Sequence, residues 1–392
     1  MSKVVLFGAT GYTGRLAARA LQARGISPLL AGRDPTRLRA LANELGGLPH
    51  AVADAEDPGS LVRLLGAGDV LVSTVGPFLR YGAAQVEAVL AQRAHYLDSC
   101  GEPAYYRLLI ERYSERARAA GRALLSACAY DFFAGNCVAD HVLQLAGPAA
   151  TRVVIGYAGD LAPGYRTSAG SQASGMWSML EPGLFWRDGR FVAEPIGQRL
   201  GRFELHGAQR PGFSMPGTEP LFLPELHPKL RDIEAYWGWA GSSVPAMHVS
   251  FRAIAALARF RPARAVLQSL FRKLAKSDGT GPDANLRERS ASYVCAAAFD
   301  AAGQQLAAAE LGDIDGFDFT ANILAWSADV ICRGELQRTG VTGPVQAFGR
   351  EALRRGHAEA GFELSVTYPR KPQPSAAVIN GTAVSASRGM ES

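Results

Sequence analysis

A chain of 392 residues, 48% hydrophobic and 20% charged, has the composition of an ordinary soluble globular protein and is long enough for two cores. Its formal net charge of +5 is too small for its length to argue for nucleic acid as a partner. Its five cysteines (Cys100, Cys128, Cys137, Cys295 and Cys332) form no C-x-x-C pair, which speaks against a disulfide frame or a metal site. The expectation is free thiols in a reducing cytosol, and with no signal-peptide pattern and no apolar run of membrane-spanning length the protein is expected to be cytoplasmic.

The first predicted element is a short buried strand, Lys3-Val4-Val5-Leu6-Phe7. The heptapeptide Gly8-Ala9-Thr10-Gly11-Tyr12-Thr13-Gly14 follows at once, and Leu16, Ala17, Ala20 and Leu21 then recur at helical spacing. A strand, a glycine turn and an amphipathic helix in direct succession predict a pyrophosphate cradle. Gly8 and Gly11 allow a tight turn and close approach, the helix N-terminus supplies free amides, and Gly14 lets the helix lie on the strand.

The second strand covers Ile26 to Ala31, and the residue past its end selects the cofactor. An acidic residue there would favour NAD by bonding the ribose hydroxyls; the chain instead has Gly32-Arg33. Asp34, standing before Pro35, is expected to cap the next helix. Arg33, with Arg37 one helical turn further on, can hold a 2'-phosphate, so NADP is expected. A third strand near Ala51-Val52-Ala53 ends at Asp54, a residue suited either to an adenine amino group or to a turn. The fourth strand, Asp69 to Val75, places Thr74, Val75 and Gly76 beside the ribose and nicotinamide. A helix over Ala83 to Gln92, a strand at His95 to Asp98, a long helix to about Ala120 and a strand from Leu124 to Cys128 complete six β units, a full dinucleotide-binding domain.

Beyond residue 130 the alternation stops. Strands are predicted at Arg152 to Ala158, Ser290 to Phe299 and Gln305 to Leu311, among glycine-rich and aromatic loops, before a helix from about Phe317 to Cys332. The expected fold class is α/β, an N-terminal Rossmann doubly wound parallel sheet with a second, mixed α+β substrate domain. The divisions fall at 1–129, 130–314 (substrate and dimerisation domain), 315–368 (returning to the first domain) and a disordered tail, 369–392. Met176, Trp177, Met179, Leu180, Leu184, Phe185 and Trp186, with Tyr236, Trp237 and Trp239, suit either an apolar pocket or a core or homodimer interface. The stretch 246–276 contains seven Lys and Arg residues and no acid, interleaved with apolar residues at helical spacing. Such a segment fits a peripheral membrane contact, an acidic carrier protein or a solvated helix face.

Taken together, the heptapeptide, Ala31-Gly32-Arg33, Val75-Gly76-Pro77-Phe78 with Tyr81-Gly82, His95-Tyr96-x-Asp98 to Gly101-Glu102 and Tyr130-Asp131 resemble the saccharopine dehydrogenase-like oxidoreductases. Within that superfamily the chain looks most like the trans-acting enoyl reductases of lipid and polyketide assembly. The resemblance implies NADP binding at Gly8, Thr10, Gly11, Tyr12, Thr13, Gly14 and Arg33. It also implies a nicotinamide near Gly76-Pro77 and the Ser99-Cys100-Gly101 turn, and an apolar substrate, free or carrier-bound. A Tyr–Lys pair of the short-chain reductase kind is excluded, since no lysine lies between residues 4 and 228. Reduction of an enoyl C=C leaves an enolate that needs a proton, and Tyr130 oriented by Asp131 is the candidate donor. Alternatively Asp131 caps a helix beginning at Phe132 and Tyr130 packs. An imine reductase of the saccharopine type, with Arg80 and Arg166 for a substrate carboxylate, and a non-catalytic NADP sensor are the competing functions.

Overall fold

The computed structural model describes residues 2–274 and 280–367; the predicted disordered tail lies outside them. The chain opens with β1 (Val4–Phe7), α1 (Tyr12–Ala23), β2 (Leu29–Gly32), α2 (Pro35–Glu44), β3 (His50–Val52), α3 (Pro58–Val62), β4 (Val70–Ser73), α4 (Phe78–Ala91), β5 (His95–Asp98), α5 (Pro103–Ala120) and β6 (Ala123–Leu125). The six strands are parallel in the order β6-β5-β4-β1-β2-β3, in which the direction of winding reverses between β1 and β4. Every residue of β1, β4 and β5 is buried, as strands covered on both faces must be.

Three boundaries depart from the periodicity for identifiable reasons. β2 starts at Leu29, after Pro28, because the Ile26 amide closes the end of α1 on the Leu21 carbonyl. β6 stops at Leu125 because the Ser126 hydroxyl and the Ala127 amide turn aside to the Asp98 carboxylate. α4 begins at Phe78, ahead of the expected Ala83, because the Glu102 carboxylate receives the Phe78 and Leu79 amides and caps its first turn.

The rest of the chain comprises α6 (Tyr130–Ala146), β7 (Arg152–Asp160), α7 (Ala169–Ser178), β8 (Gly183–Arg187), β9 (Arg190–Glu194), β10 (Leu200–Leu205), β11 (Ala208–Ser214), α8 (Glu219–Leu226), β12 (Asp232–Trp237), α9 (Val244–Leu257), α10 (Arg261–Leu274), α11 (Ala284–Glu288), β13 (Ala291–Phe299), β14 (Gln305–Ile314), α12 (Gly316–Cys332), β15 (Gly340–Val341), α13 (Pro344–Phe348), α14 (Arg350–Glu359) and β16 (Glu363–Thr367). A second sheet runs β10-β11-β12-β7-β13-β14-β16, with the β8–β9 hairpin joined through β12. Among the described residues only β12 and β7 pair in parallel in this sheet, and α6 packs across β13, β14 and β7. α12 is apolar almost all round, with Phe319, Ile323, Leu324, Trp326 and Val330 buried, and it lies against α1, β4 and β5 of the first sheet. β15 pairs with β6 there. β16 does not return to the first sheet: α14 packs on α12 and α6 and delivers the chain to the free edge of β14.

Candidate functional site

The glycine turn has the geometry of an anion cradle. Gly8 takes φ +87°, its amide donates to the Ala31 carbonyl at 2.9 Å, and the Gly11 amide closes on the Gly8 carbonyl at 2.9 Å. A Cβ at residue 14 would stand 2.1 Å from the Gly8 oxygen, so the helix can lie this close only with glycine there. α1 starts from Gly11 with neither a side-chain cap nor an acidic residue in its first turn, which leaves the amides of Tyr12, Thr13 and Gly14 for an anion. The Thr74 hydroxyl lies 3.2 Å from the Phe7 and Gly8 carbonyls and ties the end of β4 to this turn.

At the end of β2, Arg33 is exposed and makes no ion pair among the described residues. Asp34 caps α2, receiving the Thr36 and Arg37 amides. Arg37 donates back to the Thr10 carbonyl at 3.0 Å, so it braces the glycine turn as well as adding charge beside it. Asp54 forms a turn, accepting from the Glu56 amide at 3.0 Å while its own amide is bonded to Ser60.

The carboxyl ends of β4, β5 and β6 are knitted together by two acids, Asp98 and Glu102, which the sequence places in a motif without giving either a role. Asp98 is fully buried and accepts from the Cys100 and Ala127 amides, both at 2.9 Å, and from Ser126; burial raises its pKa to about 6. Glu102, also buried, adds the Ser174 hydroxyl of α7 at 2.8 Å to its two α4 amides. Ser178 of α7 lies 3.4 Å from the Gly101 carbonyl, and the Ala169 amide at the other end of the helix bonds Thr280. Gly281, next in sequence, packs on the Tyr12 ring. α7 therefore lies across the cleft from the glycine turn to the end of β5. The remaining expected residues, Val75, Gly76, Pro77 and Ser99, line the same edge, partly or fully exposed.

Past β6 the backbone is distorted. Ala127 has φ +61°, and inside α6 Asp131 is extended (φ −67°, ψ 133°) while Phe132 is left-handed (φ +70°). A left-handed phenylalanine is strained and persists only where its surroundings hold it. Here the Phe132 amide donates to the Tyr157 hydroxyl at 3.2 Å, its carbonyl accepts from Asn136 Nδ2 at 2.8 Å, and the Tyr130 amide donates to the Thr320 hydroxyl at 2.9 Å. Tyr157 in turn donates to Glu219, a fully buried carboxyl whose Oε2 has no partner among the described residues. The clamp presents Asp131, half-buried and without a hydrogen-bond or ion-pair partner among the described residues. Burial raises its pKa to about 7, and burial together with the nearby Asp131 charge raises that of Glu219 to about 7. Asp131 is close enough to Tyr106 for its charge to act on it, and the Tyr106 hydroxyl donates to the Cys100 carbonyl at 2.6 Å.

Among known proteins, residues 4–125 match the model of the saccharopine dehydrogenase NADP binding domain. This N-terminal unit is thus similar in sequence to that NADP binding domain. A trans-acting enoyl reductase of Mycobacterium ulcerans is 35% identical over 150 residues, 37% of this chain and 36% of the relative. One from Mycobacterium leprae is 37% identical over 134 residues, 33% of this chain and 32% of the relative. The matching stretch thus spans about a third of the length of these relatives. The apo saccharopine dehydrogenase (L-Glu forming) of Saccharomyces cerevisiae aligns over 94% of this chain and 100% of its own with a TM-score of 0.57 at 12% identity, a likeness of fold.

The residues of the NADP-binding domain fit that cofactor. The cradle that a Cβ at residue 14 would fill can take the pyrophosphate, and the unpaired guanidinium of Arg33, with no carboxylate in its place, can take the 2'-phosphate. Two expected contacts come only from the backbone. The Tyr12 side chain leaves the cleft to donate to the Pro282 carbonyl at 2.5 Å and accept from Arg287 at 3.1 Å, its pKa pushed up to about 12 by burial. The Cys100 thiol is buried.

Tyr130 does not meet the requirements of the donor role. Its hydroxyl donates between the Tyr293 and Ala158 carbonyls, at 2.8 and 3.0 Å, and its ring packs edge-on to Tyr157 and Trp239. The phenol is thus spent on anchoring the second sheet, and no hydrogen bond joins it to Asp131. His95 is no alternative donor: it accepts the Ala123 amide at 3.1 Å, and burial lowers its pKa to about 4. Much of the aromatic stretch is packing: Met176, Trp177 and Leu180 face α9 and α10, Phe185 is buried, and Trp186 bonds the Leu230 carbonyl. Of the cations weighed for a substrate carboxylate, Arg80 pairs with Glu56 at 2.8 Å and Arg166 is exposed.

Proposed function

We propose that the protein is an NADPH-dependent reductase acting on the C=C of an apolar enoyl substrate, with Asp131 as the proton donor. NADPH held by the glycine turn and Arg33 would supply a hydride to the β-carbon. That transfer leaves negative charge on the α-carbon and the adjoining carbonyl, which a neutral acid must quench. A carboxyl whose pKa burial raises to about 7, unpaired among the described residues and presented by a clamped, strained turn beyond β6, is the observation that carries the proposal. Asp131 hands its proton to the α-carbon and, being partly exposed, regains one from solvent. Asn136 and Tyr157, backed by Glu219, are positioning residues that fix the turn through both polar groups of Phe132. The enoyl substrate class is supported by the names of the relatives, whose similarity covers the cofactor domain.

The test is NADPH oxidation by the full chain with an enoyl thioester, compared with paired amine and keto-acid substrates. Turnover of the thioester alone is expected, and Asp131→Asn should lower kcat on the order of a hundredfold with NADPH affinity intact. Activity confined to the amine and keto-acid pair would move the protein to imine reduction. Unchanged turnover in Asp131→Asn would remove Asp131 from the mechanism.

A further inference from the structure

Helices α9 and α10 each carry two apolar faces, and only one of them is covered. Inward, Ala258 and Phe271, with Ile254 and Leu267, pack on Met176 and Trp177 of α7 and on Leu180 just past its end. Outward, Val249, Leu257 and Phe260 are 66%, 50% and 67% exposed, and Val266 and Leu270 are 68% and 47% exposed. The spacing 249, 253, 256/257, 260 marks one stripe along α9 and its exit, filled in by exposed Ala253 and Ala256; 262, 265/266, 270 marks the other along α10. Five of the eleven large apolar side chains exposed to this degree among the described residues thus fall within 22 positions, whereas the other six are spread through the chain. Grouping of this kind marks a contact surface.

Charge indicates what the surface meets. Arg252, Arg259 and Arg261 are exposed at its rim, Arg264 is paired with Glu181, and the sequence contains no Asp or Glu from 235 to 277. A second copy docked by a two-fold axis would bring these guanidinium groups toward their own images with no carboxylate in the segment to receive them. An anionic lipid surface takes both features at once: the apolar stripe enters the acyl boundary while the arginines reach the phosphates. Each helix has 14 residues, and no helix among the described residues is long and apolar enough to cross a membrane. We infer that the consecutive helices α9 and α10 form a docking surface on which the protein lies against an anionic bilayer. The bilayer then sits on the far side of α7 from the cofactor cleft.

The full chain is sedimented with vesicles of phosphatidylcholine alone or of phosphatidylcholine and phosphatidylglycerol, without substrate or NADPH, so the outcome is independent of the proposed reaction. Binding to the anionic vesicles is expected to exceed binding to the neutral ones by about tenfold or more and to fall with added salt. Phe260→Ser with Val266→Ser, and separately Arg259→Glu with Arg261→Glu, should each reduce it by about tenfold or more, with unfolding temperatures that remain wild-type because these side chains are exposed. No binding to anionic vesicles, or binding that both variants retain, would overturn the inference. So would a dimer in light scattering that Phe260→Ser with Val266→Ser dissolves in the absence of lipid binding, or retention on an acidic carrier protein by a chain that ignores vesicles.

Discussion

Arg33 and Asp131 have similar surroundings in one respect: neither charge has a partner among the described residues. Arg33 lies outside the second strand in open solvent, where an unpaired guanidinium costs little and can wait for a phosphate. Arg33→Ala is expected to weaken NADPH binding by about tenfold or more and to leave NADH binding unchanged, as read by fluorescence titration. A preference for NADPH that survived the change would move 2'-phosphate recognition elsewhere. Asp131 is unpaired under partial burial, which penalises its charged form and lifts its pKa to about 7. The acid is therefore present below that value and lost above it, so kcat should fall as pH rises through about 7. The residual rate of Asp131→Asn should be flat over the same range. A wild-type profile level from pH 6 to 8 would contradict the assignment.

Among the elements, Glu102 links three. Its carboxylate caps α4 and holds α7 through Ser174, while its backbone carbonyl opens α5 by accepting the Tyr105 amide. A glutamine there would keep one acceptor oxygen and turn an NH2 group toward a backbone donor, so Glu102→Gln should destabilise the fold by about 2 kcal/mol. Hydrogen exchange should then quicken at the start of α4 and along α7, while the far strands β13 and β14 stay protected. Uniform loosening across both sheets would mean that Glu102 supports the fold globally and does not hold α7. The sequence showed an apolar, aromatic α7 stretch but not its direction, because Met176, Trp177 and Leu180 find their partners some 80 residues on, in α9 and α10.

Across the whole molecule, buried titratable groups act in opposition. Asp98, Asp131 and Glu219 have pKa values raised by burial to about 6, 7 and 7, so the folded state holds their protons more tightly than the unfolded chain does. Their contribution to stability is full below the ordinary carboxylate range and is lost as pH rises through those values. Burial lowers His95 and His357 to about 4; their contribution is present above the ordinary histidine value and lost as pH falls through about 4. Above about pH 6.5 the histidines of the unfolded chain are already half titrated and the three carboxyl groups outweigh what remains of their contribution, so the unfolding temperature should drop between pH 6.5 and 8. Asp131→Asn combined with Glu219→Gln should flatten that drop. A temperature that rose over this interval would show that the two carboxyl groups are ionised and compensated in the fold.

By itself the sequence determined the parallel sheet, the glycine turn and the arginine past the second strand, because each rests on neighbours within about thirty residues: strand periodicity, a turn that excludes side chains, a missing acid. Asp34 as a helix cap was legible for the same reason. Only the tertiary structure decided that Tyr130 is an anchor and Asp131 the unpaired acid. Ala158 and Tyr293, which hold the phenol, and Tyr157 and Glu219, which hold the turn around Asp131, come from strands and helices whose separation along the chain leaves no pattern in it, and among these supports Asn136, four residues past Phe132, is local. The burial that raises a carboxyl's pKa is likewise a property of what packs over it, and no spacing of residues encodes that.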